Sequence, residues 1–298
     1  MYLESFDLPS AKAEDGFILS YPKELEMRCY TVNDAYPFKI FPRRGLSEIR
    51  FDPITILYGT NGSGKSTLLG VMARRLGLEC SSTLPDAGCM DAYVNLCRAH
   101  ISPRIREIPK ESKMLRSDDV FDLLLDQRSI NMSIRDEREA LFREYKKIHD
   151  TPYSESPFMS FDQLDELKRR NEAYRVSKGE FTARRLPREV RAGSNGESAF
   201  RYFTERIGEN ALYLLDEPEN SLSPRLVLEL AEFLESSVRF FGCQLVIATH
   251  SPFLLAMKGA RIYDLDSTPV TVKDWRELDN VKVYFDFFKK HMSREGKD

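Results

Sequence analysis

The residues with the clearest chemical potential lie in a glycine-rich stretch of the chain. Gly59, Gly64, Lys65 and Ser66 fill the fixed positions of the pattern G-x-x-x-x-G-K-[ST], directly after the apolar run ITILY. Glycines let backbone N–H groups surround phosphate oxygens, the lysine reaches the outer phosphates, and the serine hydroxyl can bind Mg²⁺. The pattern therefore predicts a phosphate-binding loop. The residues assigned to this loop are Gly59, Thr60, Asn61, Gly62, Ser63, Gly64, Lys65, Ser66 and Thr67.

Two adjacent carboxylates follow a second apolar run, in ALYLLDEPE at 211–219. We expect Asp216, at the end of a strand, to bind Mg²⁺ together with Ser66, directly or through water. Glu217 then comes next to the outermost phosphate, where a carboxylate can orient a water molecule and accept its proton. These residues predict a triphosphate hydrolase in which Glu217 and Lys65 are catalytic.

A third apolar run, QLVIATH, ends in His250, and a polar turn, AGSNGESAF, precedes a helical pattern. Loops after parallel strands open onto one crevice, so we expect His250 to hydrogen-bond the outermost phosphate as a further catalytic residue. The polar turn, with Ser194 and Gly196, gives another helix N-terminus that could receive an anion. Taken alone, this turn is better explained as an ordinary helix cap.

The elements that position these residues follow from the spacing of apolar residues. The runs FILSYP, MRCYTV and FKIF predict strands within residues 1–50. The spacing after Ser66 predicts a helix that stops at Gly77. VFDLLLD at 120–126 fits a buried strand or a short helix, and the charged segment 129–185 predicts a two-helix insertion. We therefore expect an antiparallel β lobe, a parallel sheet and a helical projection.

Three further segments leave alternatives open. Arg43 and Arg44 could approach a nucleotide, and Tyr36 or Phe41 could stack on its base, although ordinary sheet residues and a solvated basic turn explain them better. The basic runs KRR and RRLPREVR of the insertion could meet phosphates, but a solvated helix face is the simpler explanation. VKVYFDFFKKHM at 281–292 predicts a helix that docks on the core, with a partner-binding tail as the alternative.

Composition excludes several classes of protein. The 298 residues are 42% apolar, enough for one large α/β domain or two small ones, and 44 basic against 47 acidic residues provide no overall attraction to nucleic acid. No apolar run approaches about 18 residues and the start lacks a leader pattern, so we expect a cytoplasmic protein that crosses no membrane. The five cysteines predict free thiols, in preference to a metal site at Cys89, Cys97 and His100.

The order of the motifs resembles that of the ATP-binding-cassette (ABC) ATPases: phosphate-binding loop, helical insertion, SNGES, LLDEPENSLSP and ATHSP. Among these the chain is most similar to small soluble bacterial ATPases of the AAA-domain families, related to structural-maintenance-of-chromosomes (SMC) and RecF-like ATPases. The resemblance covers residues 50 to about 265. It implies an α/β P-loop fold with a mainly parallel central sheet, an N-terminal antiparallel β lobe and a helical insertion. It also implies ATP and Mg²⁺ as cofactors.

The resemblance extends to the contacts between subunits. Ser194, Gly196 and Glu197 resemble the ABC signature, which contacts the γ-phosphate held by the opposite subunit, and so imply a homodimer bridged by ATP. Residues 219–223 resemble the D-loop, although Ser223 stands where aspartate is usual. No convincing Q-loop glutamine is present, and Asp118 is the candidate for coordinating Mg²⁺ in its place, with Gln127 a weaker candidate.

We expect one ABC-type ATPase domain over 1–298. Its parts are an antiparallel β lobe (1–50), the P-loop strand and helix (51–80), a helical or lid insertion (81–191), the signature, Walker B, D-loop and H-loop core (192–265), and a C-terminal segment (266–298).

The resemblance implies an enzyme that hydrolyses ATP and gates a partner protein, in nucleic-acid maintenance or anti-phage defence, which makes nucleic acid a candidate partner. A slow, nucleotide-switched interaction module is the alternative, favoured by the missing glutamine and opposed by Glu217. A transporter ATPase subunit fits the charged insertion less well. A GTPase is disfavoured because no Asn-Lys-x-Asp motif follows the loop.

Overall fold

A computed structural model describes residues 1–20, 36–80, 89–105, 107–150, 164–189 and 194–292. The chain divides into two compact units: unit 1 is Met1–Val120 with Asn195–Asp298, and unit 2 is Phe121–Ser194. The strands are β1 (Leu3–Asp7), β2 (Glu48–Arg50), β3 (Ile54–Tyr58), β4 (Glu79–Cys80), β5 (Arg98–Ile101), β6 (Lys113–Arg116), β7 (Leu212–Asp216), β8 (Gln244–Thr249), β9 (Arg261–Asp264) and β10 (Thr271–Lys273). The helices are α1 (Ala11–Ser20), α2 (Lys65–Leu76), α3 (Met90–Leu96), α4 (Ser117–Asp150), α5 (Leu164–Arg175), α6 (Lys178–Ala183), α7 (Asn195–Arg206), α8 (Pro224–Phe241), α9 (Pro252–Leu255) and α10 (Asp279–Met292).

A mainly parallel sheet forms the centre of unit 1, in the strand order β10-β9-β3-β8-β7-β6-β4, with β10 antiparallel. Every residue of β3, β7 and β8 is buried, as expected for parallel strands covered on both faces. Strand β8 lies between β3 and β7, so its carboxyl end is flanked by the ends of the other two. The predicted α/β fold is confirmed, and the sheet brings the three predicted loops to one edge.

A second, antiparallel sheet has the order β2-β1-β5. The expected lobe therefore exists, but the strands predicted at FILS and FKIF are wrong. The residues FILS of the first run end α1, whose Ala13 N–H bonds to the Ser10 hydroxyl, and FKIF forms a turn that buries Phe38 and Phe41. The aromatic residues that predicted these strands therefore lie in a helix and a turn. The run MRCYTV lies outside the described residues.

The helix after the phosphate-binding loop is confirmed. α2 ends at Gly77, whose backbone is left-handed (φ 64°) and whose N–H bonds to the Ala73 carbonyl. The segment 120–126 is part of α4, which runs for 34 residues. The range 81–191 is not helical throughout, because β5 joins the antiparallel sheet and β6 joins the central sheet.

Unit 2 contains most of α4 together with α5 and α6, three helical segments where two were expected. Ile134, Ala173 and Phe181 are buried within the unit. Arginines of the basic runs pair with neighbouring carboxylates: the Arg185 guanidinium lies 2.6 Å from Glu172, and Arg184 lies 2.7 Å from Glu180. These pairs favour the simpler explanation of the basic runs.

The predicted C-terminal helix is confirmed as α10, but its predicted docking on the core is wrong. Leu278, directly before it, is buried, and the Asn280 side chain donates to the His250 carbonyl at 2.5 Å. None of the residues of α10 itself is buried. The helix is therefore attached at its start and exposes its apolar side chains.

Candidate functional site

The phosphate-binding loop joins β3 to α2 through two left-handed glycines. Gly62 has φ 81° and Gly64 has φ 95°, values that favour glycine. A Cβ atom placed on Gly59 would lie 2.5 Å from the Ser63 hydroxyl oxygen, so the loop closes tightly against this residue. The Ser63 hydroxyl is buried and has no hydrogen-bond partner among the described residues. The loop is a tight turn with an unsatisfied hydroxyl, and it leads into a helix whose first N–H groups have no acceptor within the helix. These groups could all donate hydrogen bonds to a phosphate.

Lys65 lies across this loop. Its ammonium group donates to the carbonyls of Gly59 at 2.8 Å and Thr60 at 3.2 Å, and its side chain is 4% exposed. The Glu217 carboxylate lies 3.6 Å from the same nitrogen. The cation is therefore held between the loop and β7, the position expected for a group that reaches outer phosphates.

Ser66 and Asp216 form the candidate metal site. The Ser66 hydroxyl donates to Asp216 Oδ1 at 2.9 Å, and Arg116 Nε lies 3.7 Å from Oδ2. Burial raises the pKa of the Asp216 carboxyl to about 6, although the Ser66 hydrogen bond and the Arg116 charge oppose that shift. No cluster of three or more histidine, cysteine or acidic residues among the described positions could hold a metal. Two hard oxygen donors suit Mg²⁺, which is commonly bound by one or two protein oxygens and the substrate phosphates.

Asp118, the third predicted metal ligand, stays a prediction. Its carboxylate pairs with the Arg116 guanidinium at 2.9 Å, and its side chain is 71% exposed. The neighbouring Asp119 is buried and accepts hydrogen bonds from the Arg116 N–H at 3.0 Å and the Tyr202 hydroxyl at 2.9 Å. Arg116, which the sequence analysis did not single out, thus connects the start of α4 to the Asp216 carboxylate.

Glu217 has an unusual backbone. Its φ of 47° is left-handed, and its N–H bonds to the carbonyl of Ala248 at 2.9 Å, which fixes the turn after β7 against β8. The carboxylate accepts a hydrogen bond from the Asn220 side chain at 3.0 Å and lies 3.9 Å from His250 Nδ1. The turn directs this carboxylate to Lys65 and His250, as its predicted role requires.

His250 is positioned by Glu219, a residue that sequence reasoning placed in the D-loop without giving it a role at the site. Glu219 Oε1 accepts hydrogen bonds from the Thr249 hydroxyl at 2.5 Å and from the N–H groups of His250 and Ser251 at 3.1 and 3.2 Å. It also lies 3.5 Å from His250 Nδ1. Burial raises the pKa of Glu219, which these donors oppose. The signal in the sequence that could have identified Glu219 is a carboxylate shortly after a strand with no basic neighbour to pair with.

We expect Glu219→Ala to lower both stability and turnover. Removing the shared acceptor leaves buried donors unsatisfied, which should cost about 2 kcal/mol of unfolding free energy, and loosening His250 should slow ATP hydrolysis about tenfold or more. Urea unfolding and steady-state phosphate release measure the two effects. Glu229→Ala, at an exposed position of α8, is the control. Wild-type stability and rate in Glu219→Ala would contradict the positioning role.

The predicted signature residues lie at the start of α7. Ser194 and Glu197 are exposed. A Cβ atom placed on Gly196 would lie 3.1 Å from the Ser221 carbonyl and 3.4 Å from a methyl group of Leu226, so a glycine permits close packing there. Ser223 caps α8, its hydroxyl accepting from the Leu226 N–H at 3.4 Å. The start of α7 is therefore braced by the predicted D-loop of the same chain, and serine in place of aspartate serves as a helix cap.

The residues considered for contacts with a nucleotide base have other partners. Phe41 is buried against Tyr93, so its suggested stacking role is wrong. Tyr36 shares a hydrogen bond with the Thr67 hydroxyl at 2.6 Å. Arg44 donates to the carbonyls of Leu265 and Gly62, and so braces the phosphate-binding loop from the side.

A cavity of about 650 Å³ lies beside the loop. Its lining residues include Gly59, Thr60 and Asn61 on one side and His250, Asp264 and Asn280 on the other. Asp266 fixes the loop at this wall, accepting from the Thr60 N–H at 2.7 Å and the Thr60 hydroxyl at 3.0 Å. The loop thus borders an open space that also reaches the end of β8.

Two other expectations can be compared with the described residues. Cys80, Cys89, Cys97 and Cys243 are free thiols, and His100 pairs with Asp7 at 2.8 Å. Cys29 lies outside the described residues. Within the part of the chain that the structure describes, no helix has the length and apolarity needed to cross a membrane.

Several solved structures are similar to this chain. One described as "An inward-facing conformation of a putative metal-chelate type ABC transporter" is 17% identical, with a TM-score of 0.38, over 81% of this chain and 82% of that one. CbiO1 of Clostridium perfringens, part of the ABC transporter complex cbiONQ, is 16% identical, with a TM-score of 0.34, over 84% and 87%. The Smc head domain of Pyrococcus furiosus is 12% identical, with a TM-score of 0.36, over 82% and 94%.

The sequence itself identifies the family. A search of curated proteins finds no match. A family profile described as "AAA domain, putative AbiEii toxin, Type IV TA system" matches residues 91–256, more than half of the chain. The matched range includes β7 and β8 with Asp216, Glu217 and His250, which the fold assembles beside the phosphate-binding loop. The chain therefore belongs to this AAA-domain family and has the mainly parallel α/β fold that its motifs predicted.

Proposed function

We propose that this protein hydrolyses ATP to ADP and phosphate with Mg²⁺ as cofactor. The observation that carries the proposal is the meeting of three strand ends: Lys65 lies 3.6 Å from Glu217, Ser66 bonds to Asp216 at 2.9 Å, and His250 lies 3.9 Å from Glu217. A cation, a metal-binding pair and a candidate base thus face one space, the combination that phosphoryl transfer to water needs.

Each residue has a separable role in this proposal. The loop backbone and Lys65 bind the β- and γ-phosphates, and Ser66 and Asp216 would hold Mg²⁺, which neutralises phosphate charge when bound. Glu217 orients the attacking water and accepts its proton, and His250 donates a hydrogen bond to the γ-phosphate. Catalysis therefore depends on positioning and charge neutralisation, without a covalent intermediate.

We further propose that two copies close around two ATP molecules. The exposed start of α7, with Ser194 and Glu197, would meet the γ-phosphate held by the second copy, and hydrolysis would release the pair. The closed state would gate a partner protein. The family's description names a toxin and a toxin–antitoxin system, which supports anti-phage defence as the setting, with nucleic acid as one candidate partner.

Phosphate release from ATP, with and without Mg²⁺, tests the hydrolase. We expect Mg²⁺-dependent release by the wild type and a rate at least about a hundredfold lower for Lys65→Ala, because the buried cation contacts the outer phosphates. Lys258→Ala, at an exposed position, is the control and should retain the wild-type rate. Equal rates in all three proteins would overturn the proposal.

One observation favours the slow-switch alternative. Arg116 at the end of β6 and Asp118 at the start of α4 lie where the family resemblance implied a glutamine, and they pair with each other. A single-turnover experiment separates the alternatives: hydrolysis within seconds supports the enzyme, whereas bound ATP that persists for many minutes supports the switch.

A further inference from the structure

The surface that the proposed activity leaves unexplained is the exposed helix α10. Its apolar side chains Val283, Tyr284, Phe285, Phe287, Phe288 and Met292 are 45% to 74% exposed. Taking about 150–250 Å² for each large side chain, together they present roughly 600 Å². The largest apolar patch on a monomeric protein is commonly about 300–600 Å² and often marks an interaction site.

The sequence of α10 separates two faces. Val281, Tyr284, Phe285, Phe288 and Met292 recur at helical spacing and form one continuous stripe, with Phe287 beside it and Val283 on the far side of the helix. The charged residues Lys282, Asp286, Lys289 and Lys290 fall on the opposite arc. An exposed apolar face of this size commonly marks an interaction site.

The attachment of α10 fixes where this face is presented. Asn280 bonds to the His250 carbonyl and, through its N–H, to the Tyr58 hydroxyl at 3.2 Å. A groove of about 500 Å³ lies along the helix, with Tyr284 and Phe288 on one side and Leu222, Pro252 and Phe253 on the other. The apolar surface therefore continues from α10 onto α9 and the loop before α8.

We propose that α10 pairs antiparallel with α10 of a second copy of this chain, forming a homodimer that needs no nucleotide. A standard interface covers about 800 Å² on each partner, so the stripe supplies part of this area and the adjoining groove supplies the rest. A two-fold axis between Phe285 and Phe288 makes the stripe self-complementary, because Phe285 then faces Phe288 of the second copy and Val281 faces its Met292.

The mass of the nucleotide-free protein, measured by light scattering from about 1 to 100 µM, tests the pairing. We expect a dimer for the wild type and for Lys65→Ala, and a monomer for Phe285→Glu/Phe288→Glu. Both phenylalanines are more than half exposed, so the substitutions should preserve folding, checked by circular dichroism. Phe240→Glu, at a 68% exposed position of α8, is the control and should remain dimeric. A monomeric wild type, or a dimer that survives the paired substitution, would overturn the proposal.

A disulfide test checks the orientation. In the antiparallel pair Val281 of one copy lies beside Met292 of the other, so a mixture of Val281→Cys and Met292→Cys proteins should form a mixed disulfide on oxidation. Disulfides only between identical positions would contradict the antiparallel arrangement. Because Lys65→Ala should lose hydrolysis but keep this dimer, failure of the pairing and failure of the hydrolase are distinguishable.

Discussion

Glu217→Gln should bind ATP and hydrolyse it roughly a hundredfold to ten-thousandfold more slowly than the wild type. The amide keeps the size of the side chain and can still bond to Asn220, while Lys65 and the loop backbone retain the phosphates. It cannot accept a proton from water. Phosphate release and equilibrium binding of a fluorescent ATP analogue measure the two quantities. The expected pattern is a lost rate with retained affinity.

The same variant should accumulate the closed pair, because ATP stays bound between the copies. Its mass should be measured with and without Mg·ATP in the Phe285→Glu/Phe288→Glu background, so that pairing through α10 does not contribute. We expect a step from monomer to dimer only with Mg·ATP. Glu205→Gln, at an exposed position of α7, is the matched control. A wild-type rate in Glu217→Gln would remove Glu217 from the mechanism.

Ser194→Arg should abolish turnover while each copy still binds ATP. The exposed start of α7 would meet the nucleotide of the second copy, and a large cationic side chain there should keep the two copies apart. We expect at least about a hundredfold loss of phosphate release and no nucleotide-dependent dimer. Ser129→Arg, which adds the same group at an exposed position of α4, should change neither.

The two measurements of Ser194→Arg distinguish a signature that acts on the nucleotide of the second copy from one that acts within its own chain. Retained ATP affinity with lost dimer formation supports a signature that acts between copies. Lost affinity in a correctly folded monomer would place the signature in the nucleotide pocket of its own chain, contrary to the proposal.

The sequence predicted those parts of the fold that local chemistry determines. The fixed pattern around Lys65 and the uninterrupted apolar strands before Asp216 and His250 identified the three loops, because buried parallel strands leave a strong local signal. The same rules failed for FILS and FKIF. Their aromatic residues are typical of strands, yet FILS lies in a helix with a serine cap and FKIF lies in a turn. Long-range packing decides which of these structures forms.

The site shows the same division. The positions of Gly59 and Ser66 follow from the strand and loop around Lys65, and the position of Asp216 follows from the strand that it ends. The anchoring of His250 by Glu219 does not, because it joins two loops whose approach depends on β8 lying next to β7. Likewise, the pairing of Arg116 with Asp216 requires β6 beside β7, a neighbour relation that no spacing within the sequence contains.

The left-handed backbone of Glu217 has a consequence for selection experiments on this protein. A residue with a Cβ atom in that conformation lowers the free energy of unfolding by about 1 kcal/mol relative to glycine. The fold alone would therefore favour glycine at the position directly after β7. A screen that rewards only resistance to heat would accordingly enrich variants that have discarded the carboxylate. The left-handed turn that positions the proposed base therefore makes thermal stability and ATP hydrolysis conflicting requirements at Glu217.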